Sequence, residues 1–176
     1  MPESTDSDID LRTAGIIVVT EHIQGRLITN VQRHLENNDV TQRRTRQIQL
    51  NWNEDCEAVM TYFDTIIKPF IPTLRDRPCF NRWFVQFHDR PNGPQIYKPR
   101  VEKGTYNVLI VIQPGAGLPL FCEGSHIEIV NGAMAPVTSI VEIPPREGAM
   151  VVFDATIGRQ DTAVEGVGAS CIVLVY

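Results

Sequence analysis

A small set of polar residues in the second half of the chain could do chemistry. His88-Asp89 puts an imidazole beside a carboxylate at the end of an aromatic run, FNRWFVQFH. Such a pair can take up and return a proton. Tyr97, Lys98, Arg100 and Arg159 form a second set, of three cations and a phenol. Lys and Arg offer N–H donors and positive charge, with no lone pair for a metal. Brought to one spot they would repel a metal cation and attract a carboxylate or phosphate, which Arg can hold through two parallel bonds. His88, His126 and Asp154 can be drawn together as a metal site, but Asp154 is expected to cap the turn after its strand, and no metal is expected. Ser125 has no nucleophile elbow and no evident base. No phosphate-binding glycine loop is present. His22 and His34 are read as surface residues of a first helix.

These groups are carried on strands rich in aromatic residues. Trp83, Phe84, Phe87, Tyr97, Tyr106 and Phe121 are spread over four runs. Most should fill a core. Trp83 and Tyr97 are the two expected near the mouth of a cavity, where an aromatic wall with a few polar groups makes a small-molecule pocket. The candidate ligand-binding residues are therefore Trp83, Tyr97, Lys98, Arg100 and Arg159. Tyr97, Lys98, His88 and Asp89 are the candidate acids and bases.

The positioning elements read as two helices followed by a barrel of short strands. The central stretch is 105–126, TYNVLIVIQPGAGLPLFCEGSH. Its apolar runs lie on either side of a Gly/Pro turn and predict a hairpin. Ile16–Val19 is β-branched and predicts a strand. Thr20 should cap a helix with the stripe Ile23, Leu27, Val31 and Leu35. Residues 42–47, with three arginines, read as a solvated loop before a strand at 47–50. Asn51 or Asn53 should open a second helix with Cys56, Val59, Met60, Phe63, Ile66, Ile67 and Phe70 on one face. Pro69 and Pro72 should end it. Strands follow at 80–88, 96–101 (an edge, because of Pro99), 126–130, 137–143, 149–154, 160–165 and 170–176. Short strands at such spacing predict a sandwich or jelly roll. The domain reading is a disordered 1–10 and a single domain over 11–176, helical over 20–72 and a barrel over 79–176.

Composition sets the bounds. The chain has 176 residues, 43% of them hydrophobic, and a net charge of −5. One domain of this size can bury enough surface to fold without staples. The negative charge argues against a nucleic-acid partner. The four cysteines are far apart and read as small apolar residues of a reducing compartment. The acidic start, MPESTDSDID, is the reverse of a signal-peptide n-region. No run approaches the ~20 apolar residues of a membrane span. A cytoplasmic protein with no membrane partner is expected.

The order of certain segments resembles the Fe(II)/2-oxoglutarate dioxygenases, with the phytanoyl-CoA-hydroxylase-like branch nearest. The segments are Tyr106-Asn107 to Val111, Gly117 to Phe121, Gly124-Ser125-His126, Glu147 to Asp154, and the closing Cys171 to Tyr176. The resemblance covers roughly residues 80–176. It implies a double-stranded β-helix, a mainly β jelly-roll barrel braced by two helices. It also implies that the Gly-Ser-His triplet fixes a loop. The family binds Fe(II) through an H-x-D/E pair and a distal His. The pair should precede the strand at Tyr106, where this sequence has Ile96-Tyr97-Lys98-Pro99-Arg100-Val101. The distal His should fall at Arg159. The arginine that pairs with 2-oxoglutarate should fall near Gly168-Ala169-Ser170, which supplies no cation. The resemblance therefore implies a degenerate barrel with no Fe(II) and no 2-oxoglutarate cofactor. It would bind a small, anionic or polycyclic molecule and could catalyse a non-redox step such as an isomerisation or cyclisation in a natural-product pathway. Two alternatives stay open. One is a non-catalytic pseudoenzyme that pairs with itself as a homodimer or with a related oxygenase. The other is an active Fe(II) oxygenase with substituted ligands.

Overall fold

The computed structural model describes residues 11, 13–35, 40–43, 47–88, 95–97, 104–115, 118–126, 139–161 and 167–176. Eleven strands appear among them: β1 (Ile16–Val19), β2 (Val40–Arg43), β3 (Gln47–Leu50), β4 (Asn81–His88), β5 (Gln95–Tyr97), β6 (Tyr106–Gln113), β7 (Leu120–Cys122), β8 (Ile140–Val141), β9 (Met150–Asp154), β10 (Gly158–Asp161) and β11 (Val167–Val175). The helices are α1 (Gly25–Arg33) and α2 (Glu54–Tyr62). Seven strands form one sheet in the order β1-β9-β6-β11-β4-β3-β2, and four form another, β5-β10-β7-β8. No helix among the described residues is long and apolar enough to cross a membrane.

Alternation along β6 explains its unbroken apolar run. Successive strand residues point to opposite faces. Leu109 and Val111 join Val85, Phe121, Val151, Phe153 and Cys171 in a core between the sheets. Val108, Ile110 and Ile112 join Phe84, Met150, Val152, Ile172 and Leu174 in a second core under the helices. Both faces are buried from Val108 to Ile112, so neither face needs polar residues there.

The stretch 105–126 is not a hairpin. β6 pairs with β9 and β11 in the large sheet, whereas β7 pairs with β10 and β8 in the small one. The segment after β6 is a crossover between layers. Gly115 serves close backbone approach there: a Cβ on it would stand 2.5 Å from the carbonyl carbon of Gly168. A Cβ on Gly168 would in turn meet the Phe87 carbonyl oxygen at 2.6 Å.

Helix α1 begins at Gly25, with Gln24 as N-cap and no side-chain cap bond. Thr20 does not cap it; its hydroxyl donates to the Glu21 carboxylate instead, at 3.1 Å. Ile23 is buried ahead of the helix, and Ile28 and Val31 form its buried face. Gln32 ties α1 to the sheet by donating to the Ile112 carbonyl at 2.8 Å. His34 is exposed as expected and bonds Asp55 at 2.6 Å.

Helix α2 starts where the sequence places it. The Asn53 side chain accepts from the Cys56 N–H at 2.9 Å, and Glu54, Asp55 and Glu57 occupy the first turn, where the helix dipole favours anions. The apolar stripe then breaks. Residues Phe63–Ile67 form a π-turn, followed by a 3₁₀ turn at Lys68–Phe70. The wider turn keeps Ile67 beneath Phe63 and rotates Ile66 outward. Ile66 is consequently 51% exposed and Phe70 73%.

Other boundaries shift. Gln42 and Arg43 fall in the stretch read as loop, yet Val40–Arg43 pairs with β3 at the edge of the large sheet. β5 is an edge strand, as Pro99 suggested. His126 stands in a turn, and the rest of the strand expected at 126–130 lies outside the described residues. β10 starts two residues before the expected strand, at Gly158. Cys56, Cys122 and Cys171 are buried, while Cys79 is half-buried. Burial pushes the Cys56 thiol up to about 11.

Candidate functional site

The site residue most clearly placed is Arg159. It is the second residue of β10, in register with Phe121 on one side and Tyr97 on the other. Cross-strand partners share a face, and Phe121 belongs to the core between the sheets. Arg159 therefore faces inward. Its guanidinium carbon lies 5.6 Å from the centre of the fully buried Phe153 ring, within the range of a cation–π contact. Phe153 packs on Phe121, with ring centres 4.6 Å apart.

The turn before Arg159 is heavily bonded. Asp154 accepts from the Thr156 N–H at 2.8 Å and the Thr156 hydroxyl at 2.6 Å, so its carboxylate does close a turn. Ser125 is fully buried and its hydroxyl accepts from the Gly158 N–H at 2.6 Å. Gly124 donates to the Ala14 carbonyl at 2.7 Å. The His126 ring lies over Gly15, whose φ of +76° favours glycine and whose Cβ would fall 2.3 Å from Nδ1. The triplet thus fastens the lead-in to β1 and the start of β10. Replacing Ser125 with Ala would leave a buried N–H without its partner, at a cost of about 1–3 kcal/mol. Urea unfolding should show that loss, and hydrogen exchange should show faster exchange at the Gly158 amide. An unchanged Gly158 amide would refute the role.

The inner face of the large sheet supplies the rest. Phe153, Asn107 and Val175 form one cross-strand row, and Val151, Leu109, Val173 and Trp83 the next. A third row, with Val111, Cys171 and Val85, is fully buried. Val173 lies on β11 between two paired neighbours, yet it is half-buried, as are Trp83 and Asn107. The space in front of these three is incompletely filled. Trp83, expected near the mouth of a cavity, is half-buried and packs against the inter-sheet core. Asn107 was not among the candidates, although its position two and four residues before Leu109 and Val111 is a period-2 signal.

Of the remaining candidates, Tyr97 is placed by backbone pairing with Arg159, and His88 ends β4 opposite Val167. Their side chains, together with Asp89, Lys98 and Arg100, lie outside the described residues. No group of three or more His, Cys, Asp or Glu among the described residues could hold a metal ion. A separate open groove runs between α1 and α2, on the far side of the large sheet. It is lined by Gln24, Leu27, Glu57, Tyr62 and Ile66 among others, and its charged residues are Glu54 and Glu57.

Two antiparallel sheets enclosing one core, with helices on the outer face of the larger, make the double-stranded β-helix of the Fe(II)/2-oxoglutarate oxygenases. No family model and no curated protein matches the sequence. Solved structures match the fold. AviO1 from Streptomyces viridochromogenes Tue57 is 15% identical over 97% of this chain and 92% of that chain, with a TM-score of 0.67. SnoK, a non-heme alpha ketoglutarate dependent carbocyclase from nogalamycin biosynthesis, is 11% identical over 99% of this chain and 84% of that one, with a TM-score of 0.70. The epimerase SnoN, solved with Fe3+, alpha ketoglutarate and nogalamycin RO, is 12% identical over 95% and 80%, with a TM-score of 0.66. At these identities the likeness is one of fold.

Proposed function

We propose that the chain binds a small anionic molecule between its two sheets and works without Fe(II) or 2-oxoglutarate. The inward guanidinium of Arg159 carries this reading. It stands at the beginning of β10, where the resemblance calls for a metal-binding imidazole. A guanidinium is permanently charged and has no lone pair to donate. The residue there does not fit Fe(II), and no step is routed through the metal. The same group, set against an aromatic ring in a dry wall, suits a carboxylate.

The reaction class that fits is a proton-transfer step, an isomerisation or ring closure, in a natural-product pathway. A base removes a proton beside a carbonyl and the cation steadies the resulting enolate. In an isomerisation an acid returns the proton elsewhere. In a ring closure the enolate carbon attacks a second carbonyl of the same molecule, whose C=O π bond opens to an alkoxide that takes up the proton. Such a step balances with no oxidant. Tyr97, Lys98, His88 and Asp89 are the candidates in kind for acid and base. SnoK and SnoN, a carbocyclase and an epimerase, support a barrel suited to reshaping a ligand's skeleton or stereochemistry, although both are alpha ketoglutarate dependent.

The test adds Fe(II) and 2-oxoglutarate to the purified protein. After gel filtration at neutral pH, iron content should be far below one per chain, and no 2-oxoglutarate-driven oxygen uptake should follow. Stoichiometric iron together with such uptake would overturn the reading in favour of an oxygenase with substituted ligands.

A further inference from the structure

We infer that the inter-sheet site selects a planar carboxylate that carries a hydrogen-bonding oxygen beside the carboxylate, with Asn107 as the residue that reads that oxygen. The inference rests on the proposed anion site and adds the class of ligand and a specificity-determining residue.

The argument starts from the Phe153 ring, because two polar groups flank it. Arg159 places its guanidinium 5.6 Å from the ring centre. Asn107 is the direct cross-strand partner of Phe153, so their Cβ atoms stand about 4.5–5.5 Å apart on one face. A buried aromatic side chain thus sits beside both a fixed charge and a neutral amide. The two amide functions differ from those of the guanidinium. Arg159 supplies donors only, whereas Asn107 supplies two N–H donors and a carbonyl acceptor. A carboxylate alone would use Arg159 and leave the amide to water. A neighbouring hydroxyl or carbonyl oxygen gives the amide a partner.

An aromatic face is available on the same side of the sheet, two strands from Asn107. Trp83 lies in the next inner-face row, in register with Val173, which is itself in register with Leu109. Both Trp83 and Val173 are half-buried, whereas Val85 and Cys171, two residues along their strands, are fully buried. The incompletely covered part of the inner face therefore includes an indole beside β-branched Val173. A conjugated ring makes better use of an indole face than a flexible chain does, because stacking adds to area burial. The Ser125–Gly158 bond fixes the backbone just before Arg159, and the Phe153 ring lies beside its guanidinium.

The chain contains two tryptophans. Trp52 lies elsewhere, donating to Glu57 at 2.8 Å beneath Arg82. Trp52→Phe leaves Trp83 as the single reporter. In that background, quenching of Trp83 emission is titrated with salicylate, benzoate and benzamide. Salicylate should bind several-fold more tightly than benzoate, about the worth of one hydrogen bond. Benzamide should bind at least ~10-fold more weakly, as expected for loss of a charge-assisted bond. Asn107→Ala should equalise salicylate and benzoate while leaving benzoate within about twofold. Arg159→Gln should weaken both carboxylates to the level of benzamide, and Arg159→Lys should fall between. Circular dichroism of each variant confirms that it is folded. If salicylate and benzoate bind equally, or if Asn107→Ala keeps the preference while Arg159→Gln abolishes binding, the inference fails and the anion site stands. If benzamide binds as well as benzoate and Arg159→Gln changes neither, the anion site itself fails.

Discussion

Phe153→Ala is expected to cost about 3–5 kcal/mol and to abolish carboxylate binding in whatever fraction of the chain stays folded. The ring is fully buried. It is in register with Ile16 and Asn107 and packs on Phe121 at 4.6 Å. Removing it opens a cavity where the two sheets meet, and neighbours on paired strands cannot collapse into it without breaking register. The second loss is electrostatic. The Arg159 guanidinium would lose a cation–π contact of about 0.5–2 kcal/mol and with it the surface that orients the charge. Phe153→Leu separates the two effects: it keeps much of the volume and removes the ring. It should be about 1–2 kcal/mol less stable than the parent, by the usual cost of an imperfect hydrophobic swap, yet nearly as defective in binding as the Ala variant. Urea midpoints at constant m-value report the first effect and Trp83 quenching the second. An Ala variant within about 1 kcal/mol of the parent would show that Phe153 is not the joint between the sheets.

How much of this was legible depends on whether the deciding contact is local. The apolar runs at β6 and β9, the Asn53 cap and the Asp154 turn follow from neighbours in sequence, and all three are present. The path from β6 to β7 is not legible locally, because a Gly/Pro turn looks the same whether the chain doubles back or crosses to another layer. What decides it is Gly115 against Gly168, residues far apart in sequence. β2 was missed for a similar reason. Val40 and Thr41 favour a strand, but two such residues beside polar Gln42 and Arg43 are too short a signal, and pairing with β3 settles it. Thr20 has the right side chain for a cap, but Ile23 is buried ahead of the helix and its N–H is bonded to the Gly148 carbonyl at 3.4 Å, which delays the first turn to Gly25.

The candidate site divides the same way. The order of segments marks the position of Arg159, and strand register turns it inward. Trp83 is legible as an aromatic on a strand, but its face follows only from register with Val173. Asn107 was passed over because an Asn near the start of an apolar strand looks like a strand end, although inner-face parity would have selected it. The exposure of Val173 could not have been foreseen. It depends on how far the small sheet reaches across the large one, which no local pattern encodes.

Tyr176→Ala is the second change expected to have a large effect, about 3–5 kcal/mol, because it removes a buried aromatic that fastens the helical layer to the sheet. Tyr176 is 2% exposed, and its backbone bonds Tyr106 in both directions at 2.8 and 2.9 Å. Its hydroxyl donates to Asp64 at 2.6 Å, and Lys68 reaches the same carboxylate oxygen at 3.4 Å while lying 5.0 Å from the centre of the phenol ring. The π-turn brings Asp64 and Lys68 to this point, so the irregular end of α2 and the last strand hold each other. Tyr176→Phe removes only the hydroxyl and should cost about 1.5–3 kcal/mol, the range for a bond to a charged acceptor. Burial first, and then the bond to Asp64, raise the phenol above its ordinary value of 10.0. A raised value means that the folded state holds the proton more tightly than the unfolded chain. The resulting stability is complete below the unfolded value near pH 10 and is lost as pH rises beyond it. Lys68 and Cys79 face the same ring and are present in both proteins, so the comparison with Phe cancels their direct titration to first order. The advantage of Tyr176 over Phe, measured by urea unfolding, should therefore be constant from pH 7 to about pH 9.5 and shrink by pH 11, since the unfolded phenol ionises near 10. An advantage that does not change across this range would mean that the hydroxyl proton is not held by Asp64 in the folded chain.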